Sequence, residues 1–170
     1  MKKNKMKTIR KKRKRESKTN YWKRIKLLES GRPRLVFRKT NSYVLGQYVE
    51  SEEAKDSVIF STNSKELLKH GWSESFKGSL KSIPASYLTG FLMGKKIQKQ
   101  KLGKPILDIG LIRPIRKTKP FGFLKGVIDS GIELKTDEKA FPEEERIKGK
   151  NLKKDFSKDF EKIKSNLEKI

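Results

Sequence analysis

The sequence has no cysteine, which excludes disulfides, zinc–thiolate sites and thiol nucleophiles. That usage suits a reducing compartment. It has one histidine, His70, so most acyl-transfer triads are excluded as well. Placed near a predicted helix end, His70 reads as a capping or surface residue. No glycine-rich loop ends in GK[ST], so nothing supports nucleotide hydrolysis. No apolar run approaches the roughly 18 residues needed to span a bilayer. The basic amino terminus is not followed by a hydrophobic segment, so a secretory signal is not expected and a cytoplasmic location is. Apolar residues are few, 33% of 170, and acids are few, 20 Asp and Glu against 44 Lys and Arg. The resulting net charge of +24, with a pI near 10.2, repels itself in a compact chain and calls for a polyanionic partner. Nucleic acid and anionic membrane are the candidates.

What the sequence does have is one strongly apolar unit, residues 83–114, around which the rest is organised. Ala85, Leu88, Phe91, Leu92 and Lys95 recur at helical spacing and fall on one face. Ser82 is suited to cap that helix, and Pro84 is tolerated in its first turn. Gly90 and Gly94 each cost a helix about 1 kcal/mol against Ala, but four residues apart they would let another backbone come close. Gly103 and Pro105 stop the helix. Residues 106–112, ILDIGLI, then read as a short strand buried on both faces.

Residues 1–26 hold 14 Lys or Arg and a single acid, Glu16. The centre of this arm, Arg10 to Lys18, is RKKRKRESK. Like charges this dense repel, so alone the arm is expected to be disordered and to order on a phosphate backbone. A solvated tail or a localisation signal is the plainer reading. Tyr21 and Trp22 follow at once, and two roles fit them equally: stacking on unpaired bases, or anchoring the arm to the fold.

Ile25, Leu27 and Leu28 suggest a short helix ended by Gly31 and Pro33. Strands are expected at 35–38, 43–50 and 58–60, with a tight turn at Thr40-Asn41-Ser42, giving a three-stranded antiparallel meander. Its first hairpin carries Arg32, Arg34, Arg38 and Lys39, with Asn41 at the turn. Such cations on edge strands also serve merely to block aggregation. Beside a basic arm they are read as part of one RNA-facing surface. Asn63 and Ser64 are placed to cap a short helix, with Glu66 bonding back, and Trp72 is expected to pack on the core. Arg113, Arg116, Lys117 and Lys119 make a second basic cluster. Phe121, Leu124, Val127, Ile128 and Ile132 predict another amphipathic helix, where Gly126 and Gly131 permit close approach or a stop. From 137 onward ten basic residues face nine acidic ones. Leu152, Phe156, Phe160, Ile163, Leu167 and Ile170 step by three or four, an amphipathic helix that fits packing on its own domain or docking on a neighbour. That helix is close to neutral, so a membrane-surface role is not expected.

The expected fold class is α/β: the three-stranded meander, then helix, strand and helix. Three segments follow, with 1–26 the basic RNA-binding arm, 27–135 the core and 136–170 a carboxyl-terminal extension. The layout is similar to that of ribonuclease H, but that chemistry needs clustered carboxylates for two metal ions. Asp108 is the only carboxylate in the expected strand cores, and it reads as a structural hydrogen-bonding residue. No catalytic residue, metal site or cofactor is expected.

Several stretches occur in one order: RKRESKTNYWKRIKLLESGRPRLVFRKTNSYVLGQYVE, KHGW, IPASYLTGFLMGKK, LDIGLIRP, FGFLKGVIDSGIEL and FPEEERIKGKNL. Together, over about residues 10–152, they resemble the archaeal and eukaryotic-type ribosomal protein L-eighteen family, the universal binder of 5S ribosomal RNA. The resemblance implies a layered fold of the S-eleven/L-eighteen type. It implies contact with 5S rRNA and 23S-type rRNA in the central protuberance of the large ribosomal subunit, beside the L-five family protein. Carried over by position, Arg10, Lys11, Lys12, Arg13, Lys14 and Arg15, with Tyr21 and Arg24, should line 5S rRNA, and Lys18 and Trp22 of the same arm are read as RNA contacts beside them. Arg32, Arg34, Arg38, Lys39 and Asn41 should do the same, and Arg113 and Arg116 are further candidates. A general nucleic-acid-binding architectural protein is the alternative, since it shares the charge without needing an ordered hairpin surface.

Overall fold

The computed structural model describes residues 9–53, 55–152 and 155–169. Its centre is a four-stranded sheet of β1 (Arg34–Lys39), β2 (Val44–Glu52), β3 (Lys55–Asn63) and β4 (Ile106–Asp108), in the order β3-β2-β1-β4. β1 pairs antiparallel with β2, β2 antiparallel with β3, and β4 lies parallel to β1. Alternation along β1 sends Leu35 and Phe37 to one face and Arg34, Val36 and Arg38 to the other. The inner face packs on two helices, α3 (Ile83–Lys99) and α4 (Lys119–Asp129). Leu35, Phe37, Val44 and Tyr48 form one buried cluster with Met93, Ile97, Phe123 and Val127.

α3 forms where its sequence predicts it. Ser82 accepts a hydrogen bond from the Ala85 amide at 3.3 Å, and Pro84 sits in the first turn. Its two glycines meet α4 directly. A Cβ on Gly90 would overlap the Phe123 carbonyl, one on Gly94 the Ser130 hydroxyl, and one on Gly126 the Tyr87 carbonyl. At Gly90 and Gly126 the two backbones therefore touch, and only hydrogen fits between them.

The second face of α3 carries another cluster. Leu88 and Phe91 pack with Leu67 and Trp72, and with Phe156, Phe160, Ile163 and Leu167 from the carboxyl-terminal segment. Three of these apolar residues lie on α6 (Ser157–Glu168), which thus packs on its own chain. Leu152 and Phe156 precede that helix, and Ile170 lies outside the described residues. Between α4 and α6 runs a short helix, α5 (Glu144–Lys148). The turn at Asn63 has the expected reciprocal cap, with Asn63 accepting from Lys65 N and Glu66 accepting from Asn63 N, although the helix it opens is 3-10.

The fourth strand differs from its expectation. Only Ile106–Asp108 is strand, and its two apolar residues, Ile106 and Leu107, are part-buried rather than enclosed on both faces. Asp108 Oδ1 accepts a bond from the Gly110 amide at 2.8 Å, and Gly110 takes a φ of +59°. That turn lifts the chain out of the sheet and leaves Leu111 exposed. No helix among the described residues is long and apolar enough to cross a membrane.

Candidate nucleic-acid interface

The basic arm and the helix that follows it lie against part of the outer face of the sheet. One turn of helix, α1 (Lys12–Arg15), is followed by α2 (Tyr21–Glu29), whose cap residue Asn20 accepts from Lys23 N at 3.2 Å. Arg13 Nε donates to Thr19 Oγ1 at 2.8 Å across the turn between them. Lys11 lies over the Tyr21 ring, 4.8 Å from its centre, so Tyr21 ties the arm down. Trp22 points the other way. It is 72% exposed, with Lys26 beside its ring. The two aromatics thus differ in setting: Tyr21 packs against the arm, and the Trp22 ring stays exposed.

Between this cover and the sheet lies a cleft of about 280 Å³. Arg13, Lys18, Lys23 and Arg24 reach it from the arm and α2, and Arg34 and Arg38 from β1. Two carboxylates sit at its base. Asp56 binds Arg34 Nη2 at 2.6 Å and Arg24 Nη2 at 2.9 Å. Asp108 binds Arg34 Nη1 at 3.2 Å and Arg38 Nη2 at 3.4 Å, and its carbonyl accepts from Arg38 Nη1 at 2.9 Å. Burial alone would raise the Asp56 pKa. Hydrogen bonds from Ser51 and Arg34 and the charges of Arg34 and Arg24 outweigh it and hold the carboxyl below its usual range. Asp108 is thus a structural residue, as its position suggested.

This network separates the basic residues that sequence grouped together. Arg34 is not on the surface: its side chain is 4% exposed and turned onto Asp56 and Asp108. Its expected place on an RNA-facing surface is corrected by that geometry, because a cation inside the sheet must bond to carboxylates there. Arg24 is half-buried on Asp56, and Arg116 pairs with Asp137 at 3.2 Å. Arg32 is exposed and donates to the Lys104 carbonyl at the start of β1. Arg10, Lys11, Lys12, Arg13, Lys14, Arg15 and Lys18 are exposed, as are Lys39, Asn41 and Arg113. Lys39 and Arg113 do not line the arm's cleft; they stand at a second one. Lys23 was missed, although three basic residues on α2 at 23, 24 and 26 were signal enough.

Residues 5–104, the arm and the sheet through α3, match the family described as ribosomal large subunit proteins 60S L5 and 50S L18. The chain belongs to this family. It is similar to the large ribosomal subunit protein uL18 of Thermofilum pendens, 42% identical over 141 residues, 83% of this chain and 70% of the relative. The uL18 protein of Methanoculleus marisnigri is 42% identical over 82% of this chain and 78% of its own length. That of Korarchaeum cryptofilum is 40% identical over 82% and 70%. An L18-family chain is a structural, non-enzymatic component of the large ribosomal subunit, and the excess of cations meets a ribosomal RNA partner. Arg113 and Arg116 fall outside the span matched to the family, whereas the other candidate contacts lie inside it.

Proposed function

We propose that this chain binds 5S rRNA and helps attach it to the 23S-type rRNA of the central protuberance, beside the L-five family protein, in cytoplasmic ribosomes. The observation that carries this reading is that Arg13 and Lys18 of the arm share one cleft with Arg38 of the hairpin. Arm and sheet therefore present their charge as one surface. Folded RNA offers phosphate along grooves that side chains cannot easily read, so backbone and shape contacts dominate. Arg10, Lys11, Lys12, Arg13, Lys14 and Arg15 supply phosphate contacts, and Trp22 supplies a stacking face. The arm takes its bound conformation against the RNA, and the core holds the layered arrangement of the S-eleven/L-eighteen type. Residues 1–26 act as the RNA-binding limb, 27–135 as the scaffold and 136–170 as an extension folded back on it.

About eight phosphate contacts would give a log–log salt slope near −6. Replacing Arg10 to Arg15 with Ala should weaken 5S rRNA binding at every salt concentration and flatten that slope, as measured by filter binding. Unchanged binding in about 0.1 M salt counts against the arm. Equal affinity for random duplex DNA would favour a general architectural protein instead.

A further inference from the structure

A second basic cleft lies on the other side of β1 from the arm. Its volume is about 350 Å³, within the roughly 300–1,000 Å³ of small-ligand sites. Phe37, Ile83, Ile112, Ile115 and Pro120 give it apolar walls. Lys39, Arg113, Lys117, Lys119 and Arg146 surround them. Lys117 is paired with Glu143 at 2.7 Å. Lys39, Arg113, Lys119 and Arg146 make no ion pair among the described residues, although Arg146 lies close enough to Glu143 to act on its charge. The positive end of α4 opens here too, and Thr118 Oγ1 bonds back to the Ile115 carbonyl instead of capping the helix. Burial, then the charges of Lys39 and Lys81, hold the Lys119 ammonium below its usual range. Like charges are thus held together over an apolar floor, with Glu143 beside Lys117 and Arg146 on one side of the cleft.

We infer that this cleft receives an unpaired nucleotide of ribosomal RNA, with its base against Ile112 and Ile115 and its phosphate among Lys39, Arg113, Lys119 and Arg146. The inference rests on the RNA-binding reading above and adds a second, separate contact to it. An apolar floor beside unpaired cations suits a base and its phosphate together. Phe37 faces the helix side of β1 whereas Val36 and Arg38 face the arm, so the two clefts hold different parts of the RNA.

The absence of cysteine makes the test clean. Ile115 is exposed at the rim of this cleft and Ile9 is exposed in the arm. Full chains carrying Ile115→Cys or Ile9→Cys are labelled with a benzophenone maleimide, bound to 5S rRNA or to large-subunit rRNA, and irradiated. Both labels should attach to RNA, at nucleotides well separated in sequence. Adding Lys119→Glu and Arg146→Glu should reduce the Ile115 crosslink about tenfold and leave the Ile9 crosslink unchanged. An Ile115 label that reaches only protein, as on an acidic peptide, or reaches nothing, overturns the second site while the Ile9 crosslink upholds RNA binding. Failure of both labels to reach RNA removes the underlying reading as well.

Discussion

Arg34 shows how one buried charge organises its neighbours. It is shared between Asp56 and Asp108, its Nη2 also donates to Ser51 at 3.1 Å, and its Nε alone finds no partner. Asp108 is itself buried, so Arg34→Met leaves a carboxylate in the sheet held by the Gly110 amide and by the more exposed Arg38 as its one remaining cation among the described residues. We expect a loss of about 3–5 kcal/mol in urea unfolding. Arg38→Ala should cost clearly less, because that side chain is 42% exposed and Asp108 keeps Arg34. Asp56 adds a pH dependence. Its folded pKa lies below the ordinary carboxylate value of about 3.9. The stabilisation is therefore complete above that value and is lost as pH falls through the folded pKa. Asp56→Asn should be less stable than the parent near pH 7, with the difference closing below about pH 3.9. A difference that stays constant into acid would show that Asp56 acts through packing rather than charge. In the sequence Arg34 is indistinguishable from Arg32 and Arg38. Alternation marks it as outward-facing, and only the docking of α2 over that face turns outward into buried.

At the scale of elements, the contact between α3 and α4 carries the fold. Gly90 and Gly126 each oppose a backbone carbonyl of the other helix, and backbone has nowhere to move. Gly90→Ala should separate the helices and cost roughly 3 kcal/mol or more. For a chain of this size that is a drop of about 6–12 °C in melting temperature. Gly78 has no atom within 4 Å of its missing Cβ, so Gly78→Ala should leave the melting temperature nearly unchanged. Equal effects at both positions would mean that helix separation is not what the first substitution reports. This contact was legible in advance because glycines at 90 and 94 in an otherwise apolar helix have few other uses. The short β4 was not. Its seven-residue apolar run carries the signature of a buried strand, and the bend depends on the Asp108 carboxylate finding the Gly110 amide, a local contest that hydrophobic pattern does not record. The carboxyl-terminal helix had a legible apolar stripe but an illegible destination, because a stripe does not say which surface covers it. That surface is α3, through Leu88 and Phe91.

For the whole molecule the governing quantity is a net charge of +24, which composition gives directly. Which cations share a cleft is set by tertiary placement, and no spacing rule brings Lys39 beside Arg146. Dissolved salt should act on this charge in two opposite ways. Two like charges about 10 Å apart in water repel by about 0.4 kcal/mol, and each excess cation has several such neighbours. Opposing this are ion pairs such as Lys104–Glu133, whose side chains are 61% and 85% exposed. Exposed pairs of that kind contribute about 0–1 kcal/mol each, and 20 acids cannot offset 44 Lys and Arg. Screening shortens the range of both, to about 3 Å at 1 M, and the larger sum is the one relieved. The free protein should therefore melt at higher temperature in 0.5 M than in 0.02 M sodium chloride, by roughly 4–8 °C if about 2 kcal/mol of repulsion is removed. Over the same range RNA binding should weaken, because each counterion released gains less entropy in the more concentrated solution. A calorimetric melt and a filter-binding titration across one salt series measure both. A falling melting temperature would mean that the ion pairs, not the repulsion, dominate the free chain.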